Sequence, residues 1–393
     1  MRLDVSRPVF TASPRVTTFE LFFDLVYVFA FTQVSRLMAE THSALGILQA
    51  LIVLALLWWT WCSYAWLGNH AAADQPLVRV GMTVAMVAVF IAALTILEAF
   101  HDLPGGWDGP LVLALAYVLV RVLHIGLYLV VAGDDRRLRR QVLRTQSVAM
   151  LPAAAAIVAG ALVGGAAQTW IWLAGFAWDF AFTWLSSRGG GDWRIRSVGH
   201  WAERHGLIVI LALGESIVAV GVGVAREPID GSIIAGTVLA VVISVLLWQA
   251  YFARLAAAGE AALEHRPEET RAGLAVNAYT YGHLPIVAGV ILAALGVEDA
   301  MAHIHDVEPF GWFGASALGG GLALYLAATV LVGRLVGLPV LGWRIVAVVV
   351  LVASVPLIAV LPPLAALAVV LVVLAAAALV EAFAARRAVA AAR

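Results

Sequence analysis

The sequence predicts an all-α, polytopic integral membrane protein, and three observations carry that reading. Of 393 residues, 63% are apolar and only 12% charged, against about 45–50% and about 25% in soluble domains. The mean hydropathy is +0.96. Apolar stretches of about 20 residues, the length a helix needs to cross a bilayer, recur along the chain with short Gly-, Pro-, Asp- or Arg-rich links between them. These features exclude a single soluble domain, and they exclude intrinsic disorder, which needs low hydrophobicity and high net charge. A net charge of −1 leaves no electrostatic footprint for nucleic acid. The expected partners are the lipid bilayer and a small-molecule or ion substrate. Cys62 stands alone, so neither an internal disulfide nor a multi-cysteine metal site can form; no cofactor and no metal are expected. All 24 basic residues are arginine, which reads as high-GC coding bias rather than mechanism.

Twelve spans are predicted. The first, about 17–39, opens on Thr17-x-x-Glu20, a capping box in which Glu20 reaches back to the first amide. Asp24 follows four residues later on the same face. Such acids, with no Ala-x-Ala site after them, argue against a cleavable signal peptide. The second, about 45–67, carries Trp58-Trp59-Thr60-Trp61 and Tyr64. The third, about 77–100, ends at Glu98 before the turn Leu103-Pro104-Gly105-Gly106. The fourth, about 110–132, aligns Tyr117, Arg121, His124 and Tyr128 on one stripe. The fifth, about 145–164, contains Gly160-x-x-x-Gly164, a helix-packing spacing. The sixth, about 168–187, sets Asp179 among Trp172, Phe176, Trp178, Phe182 and Trp184 and leads into Ser187-Arg188-Gly189-Gly190-Gly191.

The seventh span, about 203–225, has Glu203 at its entrance and Gly214-Glu215-Ser216 halfway along. The eighth, about 231–253, ends on Trp248 and Tyr251. The ninth, about 275–297, holds Asn277, Tyr281, His283 and Pro285; the proline frees the Tyr281 carbonyl and predicts either a kink or part of an ion path. The tenth is about 311–333. Between the last two, about 340–360 and 363–385, Leu361-Pro362-Pro363 reads either as a tight turn or as a break in one long segment.

With this count and the N-terminus inside, twenty-one of the 24 arginines fall in cytoplasmic segments, as short loops with a basic excess require. Arg36 and Arg226 fall outside, and Arg121 lies within a span. Both termini are therefore expected to be cytoplasmic. Aligning Glu20 with Glu203 brings Thr32 onto Glu215, and spans two and eight both close with Trp-x-x-Tyr, at Trp61–Tyr64 and Trp248–Tyr251. Six spans separate the copies, an even number, so residues 1–187 and 188–393 are predicted to be parallel six-helix repeats about an axis along the membrane normal.

Arg15-Val-Thr-Thr-Phe-Glu20-Leu-Phe-Phe-Asp24-Leu-Val-Tyr-Val-Phe-Ala resembles the signature of the bacterial low-temperature-requirement protein A family. Trp201-Ala-Glu203-Arg-His-Gly206-Leu-Ile-Val-Ile-Leu-Ala-Leu-Gly214-Glu215-Ser216 resembles that family's second signature. Trp58-Trp59-Thr60-Trp61, Arg121-Val-Leu-His124 and Leu138-Arg-Arg-Gln-Val-Leu-Arg144 also fit, so the likeness spans most of the first 225 residues. Tyr27 and His205 stand where that family usually has Phe. The resemblance implies a multispanning protein of the cytoplasmic (inner) membrane, linked by the family's name to growth in the cold. It implies no reaction or substrate.

Ionisable residues at bilayer depth cost about 2.5–3.5 kcal/mol each on insertion scales and are functional candidates by default. Asp24, Arg121, His124, Asp179 and Glu215 lie deep; Glu20, Glu98 and Glu203 lie nearer the ends. Arginine cannot lose its proton, so Arg121 must find anions among Asp24, Asp179 and Glu215. Three carboxylates against one fixed cation leave an excess that must be protonated, metal-bound or hydrated. For Glu215 the alternatives are a paired acid in close helix packing, or a locally opened helix whose carbonyls coordinate a cation. His124 either relays a proton or packs.

No P-loop, Gly-x-Gly-x-x-Gly or His-Glu-x-x-His is present, so no catalytic residue is assigned; His303-x-His305-Asp306 is metal-like in composition only. The leading expectation is a proton- or cation-coupled secondary transporter with its path between the two repeats. Asp24, Glu215, Arg121, His124, Asp179, Glu20, Glu203, Tyr117 and Ser216 would line that path, Asp24 and Glu215 as coupling acids whose charge state Arg121 and His124 set. The alternatives are a cation channel, or a membrane-embedded enzyme or structural protein of cold adaptation. For the channel, span one distantly resembles the Phe-Ser-Asp helix of TMEM-type potassium channels, without its Arg and Ser.

Overall fold

A computed structural model describes residues 13, 15–188, 193–225, 227–339 and 342–391. Gly189, Gly190, Gly191 and Arg226, together with Arg2, Arg7 and Arg393 of the counted arginines, lie outside the described residues. In chain order the helices are α1 (Thr18–Thr41), α2 (Ala44–His70), α3 (Pro76–Leu94), α4 (Gly109–Ala132), α5 (Arg136–Val163), α6 (Gly165–Arg188) and α7 (Val198–Gly223). They continue as α8 (Gly231–Phe252), α9 (Leu255–His265), α10 (Glu268–Leu274), α11 (His283–Ala302), α12 (Gly311–Leu335), α13 (Gly342–Val360) and α14 (Pro363–Ala391). Among the described residues there is no strand.

Helix starts follow capping chemistry. The carboxylates of Asp108, Asp135 and Asp230 accept backbone N–H bonds in the first turns of α4, α5 and α8, satisfying amides that have no partner within the helix. The capping box of α1 is present as expected: the Thr17 amide donates to Glu20 Oε2 at 2.9 Å, and the Glu20 amide donates to Thr17 Oγ1 at 3.3 Å.

Among the described residues, 11 helical segments are long and apolar enough to cross a membrane. The protein is thus a polytopic, all-helical membrane protein. Each predicted span coincides with a helix. The sixth, α6, has the required length at 24 residues but is not among these 11.

Two details differ from expectation, and one open alternative is decided. The link after α8 is itself helical, as α9 and α10. Pro285 falls in the first turn of α11, which starts at His283, rather than in a helix interior. The irregular backbone lies just before it, as a π-helical segment at Ala275–Tyr281, closed by the Gly282 amide on the Asn277 carbonyl at 3.0 Å. Finally, Leu361-Pro362 separates two distinct helices, and α13 and α14 pack on each other, so the tight-turn reading holds.

The chain forms two compact units. The first comprises residues 1–37, 44–204 and 263–276; the second comprises 38–43, 205–262 and 277–393. Within the first, α2 packs on α4 and α6, and consecutive helices from α3 to α6 pack pairwise. Within the second, α8 packs on α12 and α14, and α11 to α14 pack pairwise in the same way.

An arginine ties each unit together. Arg121 on α4 donates to Ser63 on α2, Gln146 on α5 and Asp179 on α6, the last at 3.0 Å. Arg344 on α13 donates to the Ala250 carbonyl on α8, Thr329 on α12 and Glu381 on α14, the last at 2.9 Å.

Candidate functional site: a buried charge cluster on the first and seventh helices

The i,i+4 spacing that puts Glu20 and Asp24 on one face of α1 recurs in α7 as His200 and Arg204. In the first unit these four side chains meet. His200 Nε2 donates to Glu20 Oε1 and Oε2 at 3.0 and 3.1 Å. Arg204 Nη2 donates to Asp24 Oδ1 at 2.9 Å, and its Nη1 lies 3.4 Å from Glu20 Oε1. All four are at most 1% exposed.

Neighbouring elements hold the cluster in place. Trp61 on α2 donates its indole N–H to Asp24 Oδ1 at 2.9 Å, and the Arg204 guanidinium lies over the same ring, 5.6 Å from its centroid. Such stacking suits the weakly hydrated guanidinium. The start of α7 is braced by Asn69, which donates to the Ser197 carbonyl at 2.7 Å and accepts from the Arg196 amide at 2.8 Å. Gly68 lies against the Glu20 carboxylate: a Cβ there would collide with Glu20 Oε1. Gly68→Ala is therefore expected to displace Glu20 from His200 while helix propensity, about 1 kcal/mol in favour of Ala, preserves the fold. Magic-angle-spinning NMR of the His200 ring should show the Nε2 bond weakened, with an unchanged helical circular dichroism spectrum.

The cluster corrects the charge count made from sequence. Arg204, there assigned to a cytoplasmic segment, is 0% exposed and is the partner of Asp24. Arg121 pairs with Asp179 instead, so Asp24 and Asp179 each face a fixed cation. Besides Glu215, a further buried acid, Glu20, joins Asp24. Two carboxylates there share one guanidinium and one histidine, so the cluster carries one net negative charge when His200 is neutral and none when a proton is added. Asp24 Oδ2, though buried, makes no hydrogen bond among the described residues.

The remaining sequence-predicted residues are dispersed. Tyr117 and His124 are buried on α4 beside Arg121, with the His124 ring packed against Tyr64 and Tyr128. Glu203 is exposed and accepts the Val16 amide at 3.0 Å. Glu215 is 2% exposed in the second unit. The helix around it is not opened, since α7 runs unbroken from Val198 to Gly223; glycine alone does not break a helix whose neighbours pack it. Ser216 bonds to Ser244 at 2.9 Å. Of the metal-like loop, His303 approaches Asp299 and His305 approaches Asp230. Among the described residues no group of three His, Cys, Asp or Glu side chains is placed to hold a metal ion.

The second unit also contains an aromatic–histidine cluster, whose members His205, Tyr251 and His283 the sequence singled out only separately. Tyr251 donates to His283 Nε2 at 2.7 Å while His283 Nδ1 bonds the Ala278 carbonyl at 2.8 Å. Tyr279 stacks on His283, and His205 packs edge-on to both. The π-helical turn makes this arrangement, because it exposes the Ala278 carbonyl to a side chain five residues later.

The comparisons with known proteins agree with the sequence signatures. The family described as "Bacterial low temperature requirement A protein (LtrA)" matches residues 15–379. An uncharacterized protein of Rhizobium meliloti (strain 1021) is 28% identical over 330 residues, which cover 80% of this chain and 76% of the relative. No solved structure matches the chain. The matched segment contains α1, α7 and every member of the buried charge cluster, and on that near-complete match the chain belongs to the bacterial low temperature requirement A family.

Proposed function

We propose that the protein is a proton- or cation-coupled secondary transporter of the cytoplasmic membrane, with both termini inside, and that the Glu20–Asp24–His200–Arg204 cluster is its coupling site. One observation carries the proposal: four ionisable groups, each at most 1% exposed, meet in one cluster whose charge is −1 when His200 is neutral, and one proton or one monovalent cation cancels it. Isolated charge is too costly to leave unmatched at this depth, so the cluster has two states of different charge and therefore different preference for an occluded or open environment. Asp24 Oδ2 is the oxygen that accepts the proton or cation. Glu215, buried on the same helix, is the second coupling acid.

The repeated packing pattern of α2–α6 and α8–α14, with Arg121 and Arg344 tying matching helices, supports two parallel repeats, residues 1–187 and 188–393. In this reading Arg121 and Asp179, with Tyr117 and His124 alongside, hold helices together rather than exchange protons.

The test uses purified protein in liposomes carrying an acid-inside pH gradient reported by a quenched amine dye. Wild type should release the quench when sodium or potassium is added outside; Asp24→Asn and Glu215→Gln should behave as empty liposomes while remaining folded. Full release by both variants overturns the coupling assignment. Unitary current steps in a planar bilayer would replace the carrier with a pore.

A further inference from the structure

A second charged feature, unrelated to the buried cluster, lies on the surface of the first unit. Arg136, Arg140 and Arg144 recur every four residues along one face of α5 and are exposed. Among the described residues none of the three has a hydrogen-bond or ion-pair partner. Their neighbour Arg139 differs: its guanidinium bonds the Leu129 and Gly133 carbonyls at the end of α4. The three free arginines, with Phe182 and Leu185 of α6 and Trp193, line a groove of about 810 Å3, within the range of about 300–1,000 Å3 usual for small-molecule sites. Trp193 is fixed edge-on against Tyr128. One wall is therefore cationic and the other apolar and aromatic.

The position of this groove along α5 identifies its occupant. The apolar part of α5 begins near Val148. At about 1.5 Å per residue, Arg144 stands about 6 Å and Arg140 about 12 Å before it, in or just beyond the polar headgroup layer of a bilayer. We propose that this groove binds the headgroup of an anionic phospholipid, with Arg140 and Arg144 on the phosphate and the Phe182–Leu185 wall along the first acyl carbons. Guanidinium groups suit phosphate because their planar donors match its oxygens, and basic residues at the cytoplasmic end of a span sit against the more anionic leaflet.

The experiment is native mass spectrometry of the full chain released from detergent micelles doped with equal phosphatidylglycerol and phosphatidylcholine. Wild type should retain phosphatidylglycerol in preference. Arg140→Gln/Arg144→Gln should lose about fivefold of that preference per arginine, with phosphatidylcholine retention and circular dichroism unchanged. Arg139→Gln, whose guanidinium is already engaged, should lose markedly less. Equal retention of the two lipids by wild type overturns the proposal, as does full preference in the double variant or equal losses for Arg139→Gln and Arg140→Gln. Excess inorganic phosphate should leave the bound phosphatidylglycerol in place; displacement by phosphate alone would show an anion site rather than a lipid site and overturn the assignment.

Discussion

Arg204→Met is expected to destabilise the protein by about 3–5 kcal/mol, the cost of removing one partner from a buried ion pair. Globular domains are stable by only about 5–15 kcal/mol in total, so the variant should unfold at much lower temperature in detergent and express poorly. The reason is specific to the cluster. Without the guanidinium, Asp24 and Glu20 face each other with only His200 as a cation, and the cation–π contact with Trp61 is also lost. Adding Asp24→Asn should recover most of the loss, because Glu20 then balances a protonated His200 through the bond already present at 3.0 Å. A single variant as stable as wild type would show that Asp24 does not depend on Arg204 for its charge balance.

The second large effect belongs to Arg121. Arg121→Leu strands Asp179 with only the Thr183 hydroxyl, 3.2 Å away, and leaves Ser63 and Gln146 without their donor. A loss of about 3–5 kcal/mol is expected here too. Arg121→Leu/Asp179→Leu should recover much of it, since replacing a buried ion pair by apolar groups of similar volume is often neutral. This cycle should be additive with the Arg204 cycle, because the pairs share no partner. Arg344→Leu should cost less: its partner Glu381 is 17% exposed, so solvent takes over part of the lost interaction. Thermal unfolding of the three series in one detergent checks the order.

These results separate what was legible in the sequence from what was not. Spans are legible because membrane helices must be long and apolar. The Thr17–Glu20 capping box was legible because it is local. The partner of Asp24 was not. Arg204 lies near a predicted cytoplasmic end, and counting basic residues by loop placed it in water, although it is fully buried. A cue was present: His200 and Arg204 repeat, with opposite charge, the i,i+4 spacing of Glu20 and Asp24. Matching the two pairs needs only the rule that same-face residues of two helices can meet.

The π-helical turn at Ala275–Tyr281 was illegible for a different reason. Proline marks a missing hydrogen bond, yet whether the backbone answers by kinking, by starting a new helix or by widening a turn depends on tertiary packing. At Glu215 the sequence left close helix packing and an opened helix both standing. Flanking glycine suggested an opened helix, but α7 keeps its full ladder.

The central claim is that the α1–α7 cluster exchanges one proton while sealed from water. Infrared difference spectroscopy of the reconstituted protein, taken between mildly acidic and mildly alkaline buffer, tests it most directly. The account predicts the loss of one carboxyl or imidazolium proton, with a signal that shifts in both Asp24→Asn and His200→Gln and persists in Glu381→Gln. A spectrum with no protonation change assignable to these side chains, identical in wild type and Asp24→Asn, would contradict it.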